Sequence, residues 1–271
     1  MTVLKPHILW NAVLFLLAAA LPCSMRAAEP SAQKPFTVVL DAGHGGKDYG
    51  CRGKISNEKT IVLDVAKKIE ALIKKEASDS IKPILTRKDD TFIPLDERAS
   101  IANDANADLF VSIHVNSVAA KSRGREKVHG ASVYTVGLHK SEANLAVAMR
   151  ENGVIELEED FTQTYQGFDP SSSESYIIFE LDQNRHVAQS IEAASMIQER
   201  LVSNAGRADK GVLQAGFLVL WATRMPSVLV ELDFICNPAA ERFLASEDGR
   251  KKCAKAIYDA IIAYRTKFSN K

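Results

Sequence analysis

The chain predicts an α/β fold: a single domain with a mostly parallel twisted sheet flanked by helices. Two observations lead there. Short β-branched runs such as Phe36 to Leu40 and Leu109 to Val115 alternate with longer segments whose apolar residues recur at helical spacing. The residues with the most chemical potential stand just beyond the ends of those runs, where sheets of this class gather their ligands.

Phe36 to Leu40 reads as a buried first strand running into the turn-rich Asp41-Ala42-Gly43-His44-Gly45-Gly46. Ser56 precedes Asn57-Glu58-Lys59, and Val62, Val65, Ile69 and Leu72 then recur at helical spacing, so a long amphipathic helix starts near Glu58. Ile84 and Leu85 belong to a second strand, Pro94 opens a helix that includes Arg98, and Leu109 to Val115 is the next strand. Ala131 to Val136 has strand character, and Ser141 to Arg150 and Arg185 to Val202 read as helices around the irregular stretch Gly153 to Ser175. Val212 to Leu220 and Val228 to Phe234 have strand composition, and Lys251 to Lys267 closes the chain as a helix.

The opening differs from the rest. Lys5 supplies a positive start, Ile8 to Leu21 is apolar apart from Asn11, and small residues follow, which is the layout of a secretory signal. That run spans roughly 21 Å as a helix, short of the hydrocarbon core at roughly 30 Å, so no stable membrane span is expected once the signal is removed. The expected organisation is a signal over residues 1–28 with cleavage near Ala27 or Ala28, a linker over 29–35, and one domain over 36–271. Cys23 occupies the place of a lipidated cysteine, although Ala20-Leu21-Pro22 is a poor lipobox.

The 271 residues carry 34 basic and 34 acidic side chains. Lys5 and Arg26 fall in the presumed signal, and the remainder, 32 against 34, is still almost neutral, so charge gives no reason to expect nucleic acid as a partner. Cys51, Cys236 and Cys253 remain after the signal, an odd number at irregular spacing that is no disulfide framework, though export would permit one bridge.

Three potential metal ligands sit at element boundaries: His44 after the first strand, Glu58 at a helix start and His114 at a strand end. Two imidazoles and a carboxylate suit a catalytic zinc ion, which keeps one coordination place open. Glycines around His44 let the backbone turn tightly, and Asp41 and Asn116 are candidates to orient the imidazoles. Glu231, near the end of an apolar strand, is placed to move a proton. His7, His129, His139 and His186 lack a comparable glycine loop and read as non-ligands.

Val-Val-Leu-Asp-Ala-Gly-His-Gly-Gly-Lys-Asp, then Asn-Glu-Lys, Ser-Ile-His-Val-Asn-Ser and Val-Glu-Leu-Asp-Phe-Ile-Cys-Asn, in that order, resemble the motifs of the exported zinc-dependent N-acetylmuramoyl-L-alanine amidases, the amidase type 3 family. The similarity covers most of Phe36 to Tyr264, including Thr86-Arg87, the Leu95-Arg98-Ala102 pattern and Asp209-Lys210-Gly211-Val212 before Phe217 and Leu220. Cys51 departs from a commoner small residue, and Leu232-Asp233 from a glycine-containing step; neither removes a presumed ligand or base.

The resemblance implies that His44, Glu58 and His114 bind one zinc ion and that Glu231 is catalytic. The implied reaction is hydrolysis of the amide between N-acetylmuramic acid and L-alanine in peptidoglycan, in the periplasm or cell envelope, for wall remodelling or daughter-cell separation. Two other readings compete: a zinc peptidase acting on stem peptides, and a non-catalytic wall-binding or regulatory protein.

Compared with shorter family members, about 138–187 looks like an insertion between the strand at Val133 and the helix near Gln189. Some related amidases cover the zinc with an inserted helix, so the segment is expected either to restrain the site until an activator protein displaces it or to be a surface elaboration or groove wall. Glu174, Glu180 and Asp182 are candidates to approach the metal from it.

Overall fold

The parallel strands place their polar ends side by side, and the fold follows from how they are ordered. A computed structural model describes Thr2 and residues 34–180 and 186–268, with only the backbone of 178–180; Lys34–Lys271 forms one compact unit. The presumed signal from Lys5 onward, Cys23 and Asp182 lie outside the described residues.

Strands β1 (Phe36–Ala42), β2 (Ile81–Leu85), β3 (Leu109–Asn116), β4 (Ala131–Val136), β5 (Asp209–Ala215) and β6 (Ser227–Phe234) form a sheet of order β2-β1-β3-β6-β4-β5. All neighbours are parallel except β4 and β6, so the expected mostly parallel sheet is found. Pro83 lies on the edge strand β2, where a missing N–H is tolerated.

The helices described are α1 (Glu58–Glu76), α2 (Leu95–Asp104), α3 (Glu142–Asn152), α4 (Phe161–Thr164), α5 (Ser173–Glu180), α6 (Val187–Ser203), α7 (Leu218–Trp221), α8 (Pro238–Ala245) and α9 (Glu247–Phe268). Helix α1 starts at Glu58 as expected, capped by Asn57, whose side chain accepts from the Thr60 amide. Ser141 caps α3 in the same way. Val212 to Leu220 is not one strand: β5 stops at Ala215 and Leu218–Trp221 turns into a short helix. A β-rich composition alone does not mark that break. Helix α8, set off by Asn237 and Pro238, was not anticipated, and the stretch Gly153 to Ser175 contains a 3-10 turn at Gly153–Leu157 as well as α4.

Strand alternation sorts the residues. Leu40 and Ala42, Val111 and Val115, and Val228 and Leu232 pack on one face with α1, α6 and α9. Val39, Phe110 and Leu229 point to the other face, which holds a second core with Phe217 and Leu220. Asp41, His114 and Glu231 follow these residues at a period of two, so they share that second face at the strands' carboxyl ends. Ile155, Tyr165, Phe168 and Tyr176 from the 138–187 segment belong to the second core, so this segment is packed into the fold rather than laid over it.

Candidate metal centre and active site

The loop after β1 takes a backbone route that most side chains resist. His44 has φ 61°, a left-handed value that is strained for a non-glycine residue and characteristic of sites where position matters more than local comfort. Two arginines hold this loop from behind. Arg87 donates to the carbonyls of Ala42, Gly43 and Lys59, and Arg98 donates to those of Ala42 and His44, all at 2.8–2.9 Å except the 2.7 Å bond to His44. Both arginines are 2% exposed, so their donors have no water to turn to. A Cβ at Gly43 would come 2.4 Å from the His114 ring, so glycine is what lets the imidazole seat there.

Glu58, wholly buried at the first position of α1, accepts from the amides of Cys51 and Val115 at 2.7 Å each, one bond per carboxylate oxygen. His114 comes from β3, and its register partner on β6 is Glu231. These placements bring His44, Glu58 and His114 together as the sequence anticipates. They also bring a fourth group: Glu151, near the C-terminal end of α3, 5% exposed.

Four close contacts link the two imidazoles to the two carboxylates. His44 Nε2 lies 3.0 Å from Glu58 Oε1 and 3.2 Å from Glu151 Oε2; His114 Nδ1 lies 3.2 Å and 3.1 Å from the same two oxygens. Ligands about 2.0–2.1 Å from one tetrahedral ion stand about 3.3–3.4 Å apart, so the spacing is close to what a small divalent cation requires. His44 Nε2, His114 Nδ1 and Glu151 Oε2 are buried with no hydrogen-bond partner, a costly arrangement that a shared cation would resolve. Two carboxylates and two imidazoles are also the right chemistry for such an ion.

Electrostatics agree. Burial pushes Glu58 up, but the adjacent His44 charge overrides it and brings the carboxyl down to about 2. Burial depresses the His114 imidazole, and the charge of Glu151 more than reverses this, to about 9. The cluster is thus a pair of fixed negative charges that favour positive charge between them.

His44 is oriented by Asp48, whose Oδ2 lies 2.6 Å from His44 Nδ1. Neither anticipated orienting residue does this. Asp41 instead forms a buried pair with Arg98 at 2.8 Å and accepts from Thr86 and Ser112. Asn116 caps its own turn by accepting from the Ser117 amide. Asp41 and Asn116 lie on the right face; the imidazole's reach along the loop, not strand register, picks Asp48.

Glu231 is wholly buried next to the cluster. Burial raises its carboxyl, the neighbouring Glu151 charge raises it further, and Arg150 draws it back, leaving it at about 8. That is the range in which a carboxyl exchanges protons near neutral pH. Arg150 Nη2 sits 3.3 Å from Glu231 Oε1, while its Nε donates to Glu151 at 2.8 Å and its Nη1 to the Ser117 carbonyl at 2.9 Å.

Of the acids weighed in the inserted segment, Glu174 is turned to Ser172 and Ser173, Glu180 has only its backbone described, and Asp182 lies outside the described residues. Glu151 is the acid from this segment that joins the donor cluster. Its signal in the sequence is its place three and four residues after Ala148 and Val147, which puts a carboxylate on the apolar stripe of α3. His129 and the described side chains of His139 and His186 are not in the cluster.

A buried group of four donors that could hold a cation, gathered near the carboxyl ends of parallel strands with a titratable carboxyl beside it, fits a hydrolase of the metal-assisted class. The family model described as N-acetylmuramoyl-L-alanine amidase matches residues 38–263, and the chain belongs to that family; its activity is peptidoglycan amide hydrolysis. It is 34% identical over 247 residues to N-acetylmuramoyl-L-alanine amidase AmiA of Escherichia coli K12, covering 90% of this chain and 82% of that protein. It is 35% identical to AmiA of Salmonella typhimurium, covering 86% of this chain and 77% of that protein. The crystal structure of an N-acetylmuramoyl-L-alanine amidase from Clostridium difficile 630 superposes with TM-score 0.64 at 26% identity, covering 86% of this chain and 98% of that one. The CwlD amidase from Clostridioides difficile, solved in complex with the GerS lipoprotein, superposes with TM-score 0.60 at 25% identity, covering 85% and 98%.

Proposed function

We propose that this chain uses one zinc ion, held by His44, Glu58 and His114, to cleave the amide between the lactyl group of N-acetylmuramic acid and L-alanine, with Glu231 as the proton-transfer group. The observation that carries this reading is the set of 3.0–3.2 Å contacts among four buried donors, three of which, His44 Nε2, His114 Nδ1 and Glu151 Oε2, lack a hydrogen-bond partner. When bound, the ion supplies Lewis acidity toward water and toward the amide carbonyl.

The protein's own residues do the rest. Glu231 takes a proton from the attacking water and delivers it to the departing nitrogen, a role worth roughly 10²–10⁴-fold. Glu58, fixed by two backbone amides, keeps the imidazoles aligned against thermal motion. Asp48 holds His44 in the tautomer that leaves Nε2 as the ligand atom.

Glu151 occupies the place where water or substrate would enter, so the segment about 138–187 restrains the site, and a partner acts by displacing it. The domain organisation fits this role: a signal at 1–28, a linker at 29–35 and one domain from 36, working in the periplasm or cell envelope. Among the described residues no helix is long and apolar enough to cross a membrane. The solved complex of CwlD with a lipoprotein supports the idea that members of this fold take protein partners.

Mass spectrometry of muropeptides after digestion of intact peptidoglycan by the purified chain tests the reaction. Free stem peptides and uncut glycan strands are expected, lost on chelation, restored by zinc and absent for Glu231→Ala. Shortened stem peptides still attached to glycan would make the chain a peptidase instead.

A further inference from the structure

Helix α3 ends in three consecutive polar residues, and each is committed to a different structure. Glu151 joins the donor cluster. Asn152, 1% exposed, fastens the helix end to the core by donating to the Gly216 carbonyl at 2.7 Å and accepting from the Leu218 amide at 3.0 Å. Arg150 is the third. Its guanidinium spans Glu151, Glu231 and the Ser117 carbonyl, using Nε, Nη2 and Nη1 in turn. Glu231 Oε1 thereby faces the guanidinium, and Oε2 is buried without a protein partner, so with the helix seated Arg150 stands against this side chain at the oxygen it would use to move a proton.

We propose that Arg150 is a clamp on Glu231, so that α3 silences the site in two separable ways: Glu151 fills the ion's open position and Arg150 ties up the proton-transfer carboxylate. This rests on the reading of Glu231 and Glu151 given above. The two residues are adjacent on one helix, so one displacement releases both. Removing Glu151 alone opens the ion position but leaves Arg150 held by Glu231 and Ser117. Arg150 is a positioning residue: it touches neither the ion's place nor substrate and acts through Glu231.

The test compares zinc-loaded full-length chains carrying Glu151→Ala, Glu151→Ala with Arg150→Met, and Glu151→Ala with Arg150→Lys, on purified dye-labelled sacculi. The clamp predicts that Arg150→Met raises kcat at least about tenfold over Glu151→Ala alone, a fraction of the roughly 10²–10⁴ available from a freed general base, with KM little changed. Lysine, which keeps the charge but not the fork, should return much of the inhibition. In a separate arm, all in the Glu151→Ala background so that Arg150 has no second carboxylate partner, Arg150→Met should lower Tm with Glu231 intact and much less with Glu231→Gln, since only the former leaves a buried acidic side chain without its guanidinium. Equal kcat for Glu151→Ala with and without Arg150→Met, or equal Tm losses in the two backgrounds, overturns the clamp and leaves the amidase reading intact. No stem-peptide release from any of the three chains overturns the amidase reading and the clamp with it.

Discussion

Asp48 Oδ2 stands 2.6 Å from His44 Nδ1, so the imidazole that faces the donor cluster is held from outside it by a residue four positions along the same loop. The bond fixes the ring's orientation and leaves Nε2 facing the other three donors. Asp48→Asn should weaken zinc binding by roughly 10–100-fold while the fold is retained, as loss of a carboxylate behind a ligating histidine does elsewhere. Competition against a chromogenic chelator measures it; unchanged affinity would show that the glycine loop alone sets the ring.

Zinc affinity should rise with pH. Burial lowers the His114 ring, the charge of Glu151 outweighs it, and the imidazole holds its proton up to about 9. A proton on a ligand nitrogen competes with the ion, so affinity climbs as pH approaches that value and levels off above it, with proton release on binding. Calorimetry in buffers of different ionisation enthalpy reads the released protons. A flat profile would contradict the arrangement of charges.

The Asp41–Arg98 pair supports the loop and should govern acid stability. Burial raises the Asp41 carboxyl, but Arg98 and then the hydroxyls of Ser112 and Thr86 bring it below its usual range. A carboxyl lowered on folding stabilises fully above the ordinary carboxylate range and loses that contribution as pH falls through its folded-state value. Arg98→Met, which leaves Asp41 buried and unpaired, should cost about 3–5 kcal/mol in denaturant unfolding near neutral pH. That cost should shrink on strong acidification; one that stays constant with pH would point to lost packing instead.

Asn152→Ala should loosen α3 and, if that helix restrains the site as proposed, raise basal activity. It strands the Gly216 carbonyl and the Leu218 amide in the core, at about 1–3 kcal/mol. Basal stem-peptide release should therefore rise as Tm falls, whereas a destabilised but tightly closed site would show only the second change.

Of the five residues that the fold gathers at the candidate site, four were legible because each follows a strand or opens a helix in a motif with its own chemistry: His44 in its glycine loop, Glu58 at a helix start, His114 at a strand end and Glu231 near another. Glu151 was not, because its role depends on where a helix from a separate segment comes to rest, and no local pattern encodes that docking. The same limit explains Asp41. Register correctly places it on the site's face, but its partner was decided by Arg98, a residue 57 positions away. The sheet was legible for the opposite reason: buried parallel strands announce themselves in apolar runs, whereas the short helices beginning at Leu218, Pro238 and Phe161 are set by a few local residues and carry no such run.

Pro94 offers α2 no side-chain cap, and the Leu95 amide is met instead by Glu158, which also accepts from Tyr165. Helix α2 carries Arg98, and Arg98 carries the His44 loop. The segment proposed to restrain the site is therefore also a strut of the scaffold, through a contact whose loss costs about 0.5–2 kcal/mol. A molecule switched on by pulling that segment away would bare Tyr165, Phe168 and Tyr176 and be more easily digested, so wall cutting would come with a built-in limit on its own duration.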